Sequence, residues 1–471
     1  MGRRPRARPR RRRPGRPAPR RRACTRGAIH LRTTGTRHVG RLRGRAPGPC
    51  RPRIPAAAMK VLVVAPQVPW PPHQGTSLRN YNILRVLALR HDLTLLAFGD
   101  PGAPLGPLPD LGIRTHVVPP PPPRSLGVRA LDLVVTPVPD LARRLASPAM
   151  DAAVAALADA GPDPRPFGVV QIEGLEMALH GLSAHAALAG RLARPPRLIY
   201  DGHNAEWLLQ HRAWRTDARR PRTWPGAFYS AVQTWKLRRF EHRLVAACDA
   251  VVAVSAADAA ALRAIAGRAR PPIAIVPNGV DTDHYTPSDP GAVDPALCVF
   301  TGKMDFRPNI DAVAWLCTEV WPRVRDAVPA ARLAIVGRDP APRVASLANA
   351  SAGVEVVGAV PDVRPWIGRA GVIVVPLRVG GGTRLKVLEA MAMGKAIAAT
   401  SLAVEGLGIV DGREAVVRDT PVDLAAAIAG LVADAGRRRE LGRRARARAV
   451  ADFRWDRLVP AIEALYGGDP P

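Results

Sequence analysis

The sequence predicts an α/β protein of two Rossmann-like, doubly wound domains facing a cleft. Two observations predict it. Short continuous apolar runs, such as Lys60-Val-Leu-Val-Val-Ala65, carry the pattern of strands buried on both faces of a parallel sheet. These runs alternate with helix-period stretches in two separate series, and such alternation folds into doubly wound layers. At 471 residues the chain is long enough for two such units.

The first series opens at Met59 with the run 60–65, which breaks at Pro66 into a loop dense in Pro and Gly. A helical pattern follows from Ser77 to Arg90, with Leu78, Ile83, Leu84 and Leu87 on one side. Asp92–Phe98, Phe167–Ile172, Arg197–Tyr200 and Ala250–Val254 read as further buried strands. Pro119–Pro123 reads as a surface loop or spacer. The second series reads as strand 297–301, helix 309–320, strands 332–336, 354–357 and 371–376, helix 385–393 and strand 396–399. A stretch rich in Pro, Asp and Gly at 277–295 marks the boundary. The expected domains are therefore a basic extension at 1–58, an acceptor-binding domain at 59–285 and a nucleotide-sugar-binding domain at 286–454. A final helix within 455–471 is expected to cross back to the first domain.

The net charge of +30 resembles that of a nucleic-acid binder, but its distribution argues otherwise. Residues 1–58 hold 20 Arg and no Asp or Glu, so subtracting them leaves +10 for residues 59–471. This segment is rich in Pro and Gly and lacks apolar periodicity, so it should not fold alone. Three readings stay open for it: an extension upstream of a start at Met59, a disordered basic tail, or a nucleic-acid or membrane arm. It has no apolar core of a signal peptide. Aromatic residues make up only 4%, so the cores must be built mainly from Ala, Val and Leu. Cys248, Cys298 and Cys317 sit in apolar runs and read as buried thiols. With no apolar run of membrane-spanning length, the expected setting is cytoplasmic, at most at the inner face of the plasma membrane.

The segment from Val374 to Gly394 carries the chemistry. A buried strand ends at Pro376, Gly380, Gly381 and Gly382 follow, and a helix is expected to start near Thr383. Open backbone at a helix N-terminus suits a phosphate. Arg384 and Lys386 place cations where the helix dipole disfavours them unless an anion is present. Glu389, about a turn further, is placed to accept hydrogen bonds from ribose hydroxyls. The alternative is a flexible loop before an ordinary amphipathic helix.

This stretch resembles the donor-site motif of retaining GT-B glycosyltransferases of the GT4-type family, which ends in a carboxylate followed by Ala-Met-Ala. Pro277-Asn-Gly-Val-Asp281 and Gly358-Ala-Val-Pro-Asp362, with Val360 at its centre, also fall where that family has them. The resemblance covers residues 59–468. It implies a nucleotide diphosphate sugar as donor, a glycan or lipid-linked acceptor, retention of configuration, and no cofactor or obligatory metal. Bacterial cell-envelope or exopolysaccharide synthesis is the expected setting. Two departures stand out. Gly381 occupies the place of the family's first glutamate, and Asn309 that of a diphosphate-binding lysine. Lys303 and Arg307 remain as cations of that loop, with Arg384 and Lys386 available to compensate.

In the first domain, Gln74-Gly75-Thr76 resembles the family's glycine-rich loop, with one glycine rather than two. His203, within Tyr200-Asp-Gly-His-Asn-Ala-Glu206, matches the active-site histidine. Glu173, Asp201, Asn204 and Glu206 are expected on the acceptor side. The expected catalytic residues are His203, Lys303 and Arg307. Residues 207–243 interleave Trp207, Trp214, Trp224 and Trp235 with many Arg, which suits peripheral contact with an anionic bilayer. The bland reading of that stretch is a solvated helix whose Trp residues pack on the domain. Rivals for the whole chain are a sugar-nucleotide epimerase, a phosphorylase-like enzyme, an inactive relative, and a nucleic-acid binder acting through the basic tail. Nucleic acid is not the expected partner.

Overall fold

A computed structural model describes residues 58–72, 75–159, 165–218, 224–268, 270–379 and 384–468. The N-terminal lobe is a seven-stranded sheet in the order β3-β2-β1-β4-β5-β6-β7. Its strands are β1 Lys60–Ala65, β2 Asp92–Phe98, β3 Arg114–Val118, β4 Phe167–Glu173, β5 Arg197–Gly202, β6 Ala250–Ala253 and β7 Ile273–Ile275. The C-terminal lobe is a six-stranded sheet in the order β10-β9-β8-β11-β12-β13. It comprises β8 Asp294–Thr301, β9 Arg332–Val336, β10 Val354–Gly358, β11 Ala370–Val375, β12 Ala396–Ala399 and β13 Val416–Val417. Every pairing is parallel. Two doubly wound α/β lobes are therefore present, the GT-B architecture.

The apolar runs become strands because both sheet faces are covered. In β1, Val61, Val63 and Ala65 face one core while Leu62 and Val64 face the other. Each is at most 1% exposed. Strand order reverses between β1 and β4 in one lobe and between β8 and β11 in the other. At such reversals the loops leave to opposite faces and open a crevice beyond the carboxyl ends of the strands.

The last helix, Trp455–Gly467, packs through Trp455, Val459, Ile462, Leu465 and Tyr466 into a core of the N-terminal sheet. The chain thus passes between the lobes twice, and the two passes touch. Val280 donates its N–H to the Phe453 carbonyl at 2.8 Å. Gly279 lies so close to the return pass that a Cβ would stand 2.7 Å from the Trp455 ring and 2.8 Å from the Phe453 oxygen. Only glycine fits there.

Some elements differ from the sequence expectation. The stretch expected as one helix, 309–320, is an α-helix over Arg307–Trp315 followed by a wider π turn over Leu316–Val320. Pro322, at the start of the next helix, has no N–H to donate and crowds the preceding turn, so the ladder changes register. The edge strands β3, β7 and β13 depart from the expectation, because β3 is only partly apolar and β7 and β13 are only 3 and 2 residues long. Cys248 and Cys298 are buried and Cys317 half-buried, and burial pushes the last two thiols up to about 12. Among the described residues no helix is long and apolar enough to cross a membrane.

Candidate active site

The strand ends at both reversals converge on one cleft of about 1060 Å³. The N-terminal lobe supplies Gly75, Thr76, Arg79, His203 and Asn204 to its wall. The C-terminal lobe supplies Thr301–Lys303, Asn309, Val336–Arg338, Ala359–Pro361, Arg384–Lys386 and Glu389. Bare backbone forms part of the floor. Gly337, ending β9, sits so near the end of β8 that a Cβ would fall 1.6 Å from the Gly302 carbonyl oxygen. Gly358 turns at φ +79, a conformation glycine adopts freely, and delivers Ala359–Pro361 to the cleft wall.

On the C-terminal side an amide positions the Lys386 ammonium. Asn309 donates its Nδ2 to the Lys303 carbonyl at 2.8 Å and accepts from Lys386 Nζ at 2.8 Å through Oδ1. Asn309 therefore brackets the Gly302–Lys303 turn to the helix Leu385–Ala392 and steers Lys386 to the end of β8. The ammonium lies 4.1 Å from the Phe300 ring centroid. Burial lowers the Lys386 pKa to about 7, with Glu389 opposing and Arg384 reinforcing the shift. Lys303 is exposed and pairs with Asp305 at 2.8 Å. Glu389 faces the cleft and accepts from the Tyr285 hydroxyl at 3.1 Å. Burial raises the Glu389 pKa, while the Tyr285 bond and Lys386 pull it down.

Of the expected phosphate cations, Arg307 lies outside the cleft and Arg384 is turned aside within it. Arg307 begins its helix exposed to solvent and does not line the cleft. Arg384 does line the cleft, but it is buried and its guanidinium turns to Glu405 at 3.5 Å. Helix 385–392 starts with Arg384 at its cap position. Gly380, Gly381, Gly382 and Thr383 lie outside the described residues.

On the N-terminal side, His203 bonds Glu173 Oε2 through Nε2 at 3.1 Å. Burial works against protonating this ring, but the Glu173 bond and the charges of Asp201 and Glu173 outweigh it, so the pKa is raised. Glu173 also bonds Gln171, which bonds the Tyr466 hydroxyl on the last helix. The Asn80 amide nitrogen, correctly oriented, donates to Glu173 Oε2 at 3.0 Å. Asp201 is fully buried, with both oxygens held by Arg79 Nε at 3.1 Å and Nη2 at 2.9 Å. The same guanidinium donates to the Val276 carbonyl at 3.1 Å and to Asn278 Oδ1 at 3.3 Å, on the inter-lobe segment.

These contacts correct the acceptor-side assignment. Glu173 and Asp201 do not reach the cleft, because their oxygens are taken up by His203, Gln171, Asn80 and Arg79. Glu206 opens the helix Glu206–Asp217 behind the wall and accepts from Asn204 Nδ2 at 3.0 Å. Burial lifts its pKa to about 7, with the Asn204 bond opposing. Of the four, only Asn204 lines the cleft. Glu173, Asp201 and His203 have ligand-type atoms within 4.8 Å of one another, the spacing of a cation site. Both Asp201 oxygens are already held by the Arg79 guanidinium. Sequence reading missed Arg79, Tyr285 and the bracketing role of Asn309. Arg79 carries no distinguishing signal among 64 Arg.

The family description Glycosyltransferase Family 4 matches residues 73–284, and Glycosyl transferases group 1 matches residues 295–434. No curated protein sequence matches significantly. Among solved structures, Anabaena Alr3699/HepE in complex with UDP and glucose is 15% identical with a TM-score of 0.60, covering 87% of this chain and 99% of its own. Sucrose-phosphate synthase from Thermosynechococcus elongatus is 17% identical with a TM-score of 0.61, covering 87% and 98%. WaaG, a glycosyltransferase involved in lipopolysaccharide biosynthesis, is 14% identical with a TM-score of 0.55, covering 87% and 100%. At these identities the structures speak for the fold. With one glycosyltransferase description on each lobe, the chain belongs to the glycosyltransferases and is an enzyme of that class.

Proposed function

We propose that the enzyme transfers a sugar, with retention, from a nucleotide diphosphate sugar to a glycan or lipid-linked acceptor. The observation that carries this is the Lys303–Asn309–Lys386 bracket beside Glu389, which sets the Lys386 ammonium and a carboxylate at the reversal of the C-terminal sheet. Lys386 stabilises the departing diphosphate, and Glu389 accepts from the ribose. Fixed donors of this kind contribute several kcal/mol each where charge develops. Phe306, exposed on the cleft wall, offers a flat face to the base. The UDP-glucose complex of Alr3699/HepE, a protein of the same fold, supports a uridine nucleotide as the first donor to test.

His203, held by Glu173, contacts the donor sugar across the cleft, and Asn204 meets the acceptor. Closure of the lobes brings these groups together and excludes water. Charge on the leaving group is met by cationic side chains, so the reading includes no obligatory metal. Synthesis of a cell-envelope or extracellular polysaccharide at the cytoplasmic side of a bacterial membrane is the setting proposed.

A melting series with UDP-, GDP- and ADP-sugars tests the reading. A donor present at 100 times its Kd adds about 2.7 kcal/mol of stability. One nucleotide class should raise the melting temperature while the others do not. A flat response to every nucleotide sugar contradicts the proposal.

A further inference from the structure

We infer that the outward faces of the helices Leu126–Val135 and Trp224–Ala247 form a docking surface for an anionic lipid bilayer. The first helix is inside out. Its buried residue is Asp132, whereas Leu126, Val128, Leu131, Val134 and Val135 are between 44% and 85% exposed. With Gly127 and Ala130 these cover one continuous side of the helix and place no charge on it. A helix stabilised only by the water-soluble fold would point that side inward.

The polar side is what anchors this helix. Asp132 pairs with Arg124 at 2.7 Å and Arg143 at 3.3 Å, and Arg129 pairs with Asp140 at 3.0 Å. Lys236, buried on the second helix, donates to the carbonyls of Asp132 at 2.9 Å and Thr136 at 2.7 Å. Arg129 also reaches the Tyr229 hydroxyl at 3.3 Å. The two helices are therefore joined through ion pairs and hydrogen bonds, leaving the apolar side turned to solvent.

The second helix extends the surface. Trp224, Phe228 and Trp235, spaced four and seven residues apart, share one side and are 54% to 68% exposed. Arg239 lies over the Trp235 ring at 4.9 Å. The exposed charges of this helix are Arg238, Arg239 and Arg243, while its carboxylate, Glu241, is fully buried. Apolar side chains rimmed by Arg, with Trp between them, suit the boundary of a bilayer carrying negative headgroups. A second copy of the chain fits less well, because the Arg rims of two copies would meet with no exposed carboxylate of either helix between them. Of the four Trp in residues 207–243, Trp207 and Trp214 are half-buried. The surface therefore centres on 126–135 and 224–239 rather than on the whole of 207–243, and it does not depend on the transferase reading.

Flotation of the full chain with phosphatidylcholine vesicles, with and without phosphatidylglycerol, tests the inference. A neutral double variant, Leu131→Ser with Val134→Ser, leaves the charge unchanged and separates this face from the basic residues 1–58. The wild type should float with the anionic vesicles, and its Trp emission should shift to the blue. The double variant should lose vesicle affinity by about 100-fold, the effect of withholding two buried aliphatic side chains. Its melting temperature should stay unchanged. Equal flotation of both proteins, or of neither, overturns the inference. So does a wild-type dimer that the double variant dissociates without any vesicle binding.

Discussion

Replacing Lys386 by methionine is expected to slow transfer by on the order of 10²- to 10³-fold, the range seen when one preorganised donor to a developing anion is removed. The fold should tolerate the change. Lys386 stands over the Phe300 ring with its ammonium bonded to Asn309, and its pKa is already lowered to about 7 by burial. An apolar side chain of similar length removes that desolvation penalty, so stability should stay level or rise. Loss of turnover without loss of stability marks a group held in place for chemistry. Unchanged turnover would remove Lys386 from the site.

The same residue predicts a pH dependence. In the free enzyme Lys386 loses its charge as pH rises through about 7, whereas an unfolded lysine keeps it to about 10.4. Between those values the unfolded chain binds more protons, so Lys386 makes stability rise with pH. Donor binding has the opposite sign. A diphosphate beside the amine favours its charged form, so donor affinity should fall above pH 7 and binding at pH 8 should take up a proton. Calorimetry in two buffers of different ionisation enthalpy reads this directly; identical apparent enthalpies would exclude the coupling.

Replacing Arg79 by methionine is expected to destabilise the protein by about 3–5 kcal/mol, because it leaves the fully buried Asp201 carboxylate without its partner. Against a typical total of about 5–15 kcal/mol, that is about a fifth of the stability or more. The variant also loses the bonds from helix 75–87 to Val276 and Asn278, where the chain leaves the N-terminal lobe. The double variant Arg79→Met with Asp201→Asn should recover part of the loss, since no buried charge is then left unpaired. Denaturant midpoints of the two proteins decide. A double variant as unstable as the sum of its singles would show that the pair is not coupled.

Much of the fold is legible in the amino-acid order. Parallel strands buried on both faces are continuous apolar runs, so β1, β4, β8, β9 and β11 are recognisable, and ligands gather at their carboxyl ends. The direction of the side chains just past each strand end is harder to read. Glu173 and Asp201 read as acceptor contacts because they end strands near a histidine. Whether a strand-end carboxylate faces the cleft or a neighbouring helix depends on Arg79 and Asn80, which sit about 100 residues earlier. Asn309 read as a lost charge, yet its amide is what aims Lys386. Helix 126–135 escaped notice because pattern reading turns apolar faces inward, and this one is turned out.

The central claim is that a nucleotide diphosphate sugar binds in the C-terminal half of the cleft, against Glu389. Titration calorimetry with the nucleotide class selected by the melting series tests it most directly, using the wild type, Glu389→Ala and Glu206→Gln. Glu389 should account for a hydrogen-bonded, charged contact of about 1.5–3 kcal/mol, so Glu389→Ala should weaken binding by at least 10-fold. Glu206→Gln, behind the wall, should bind like the wild type. Equal affinity in all three proteins, or a loss at Glu206 rather than at Glu389, would contradict the account.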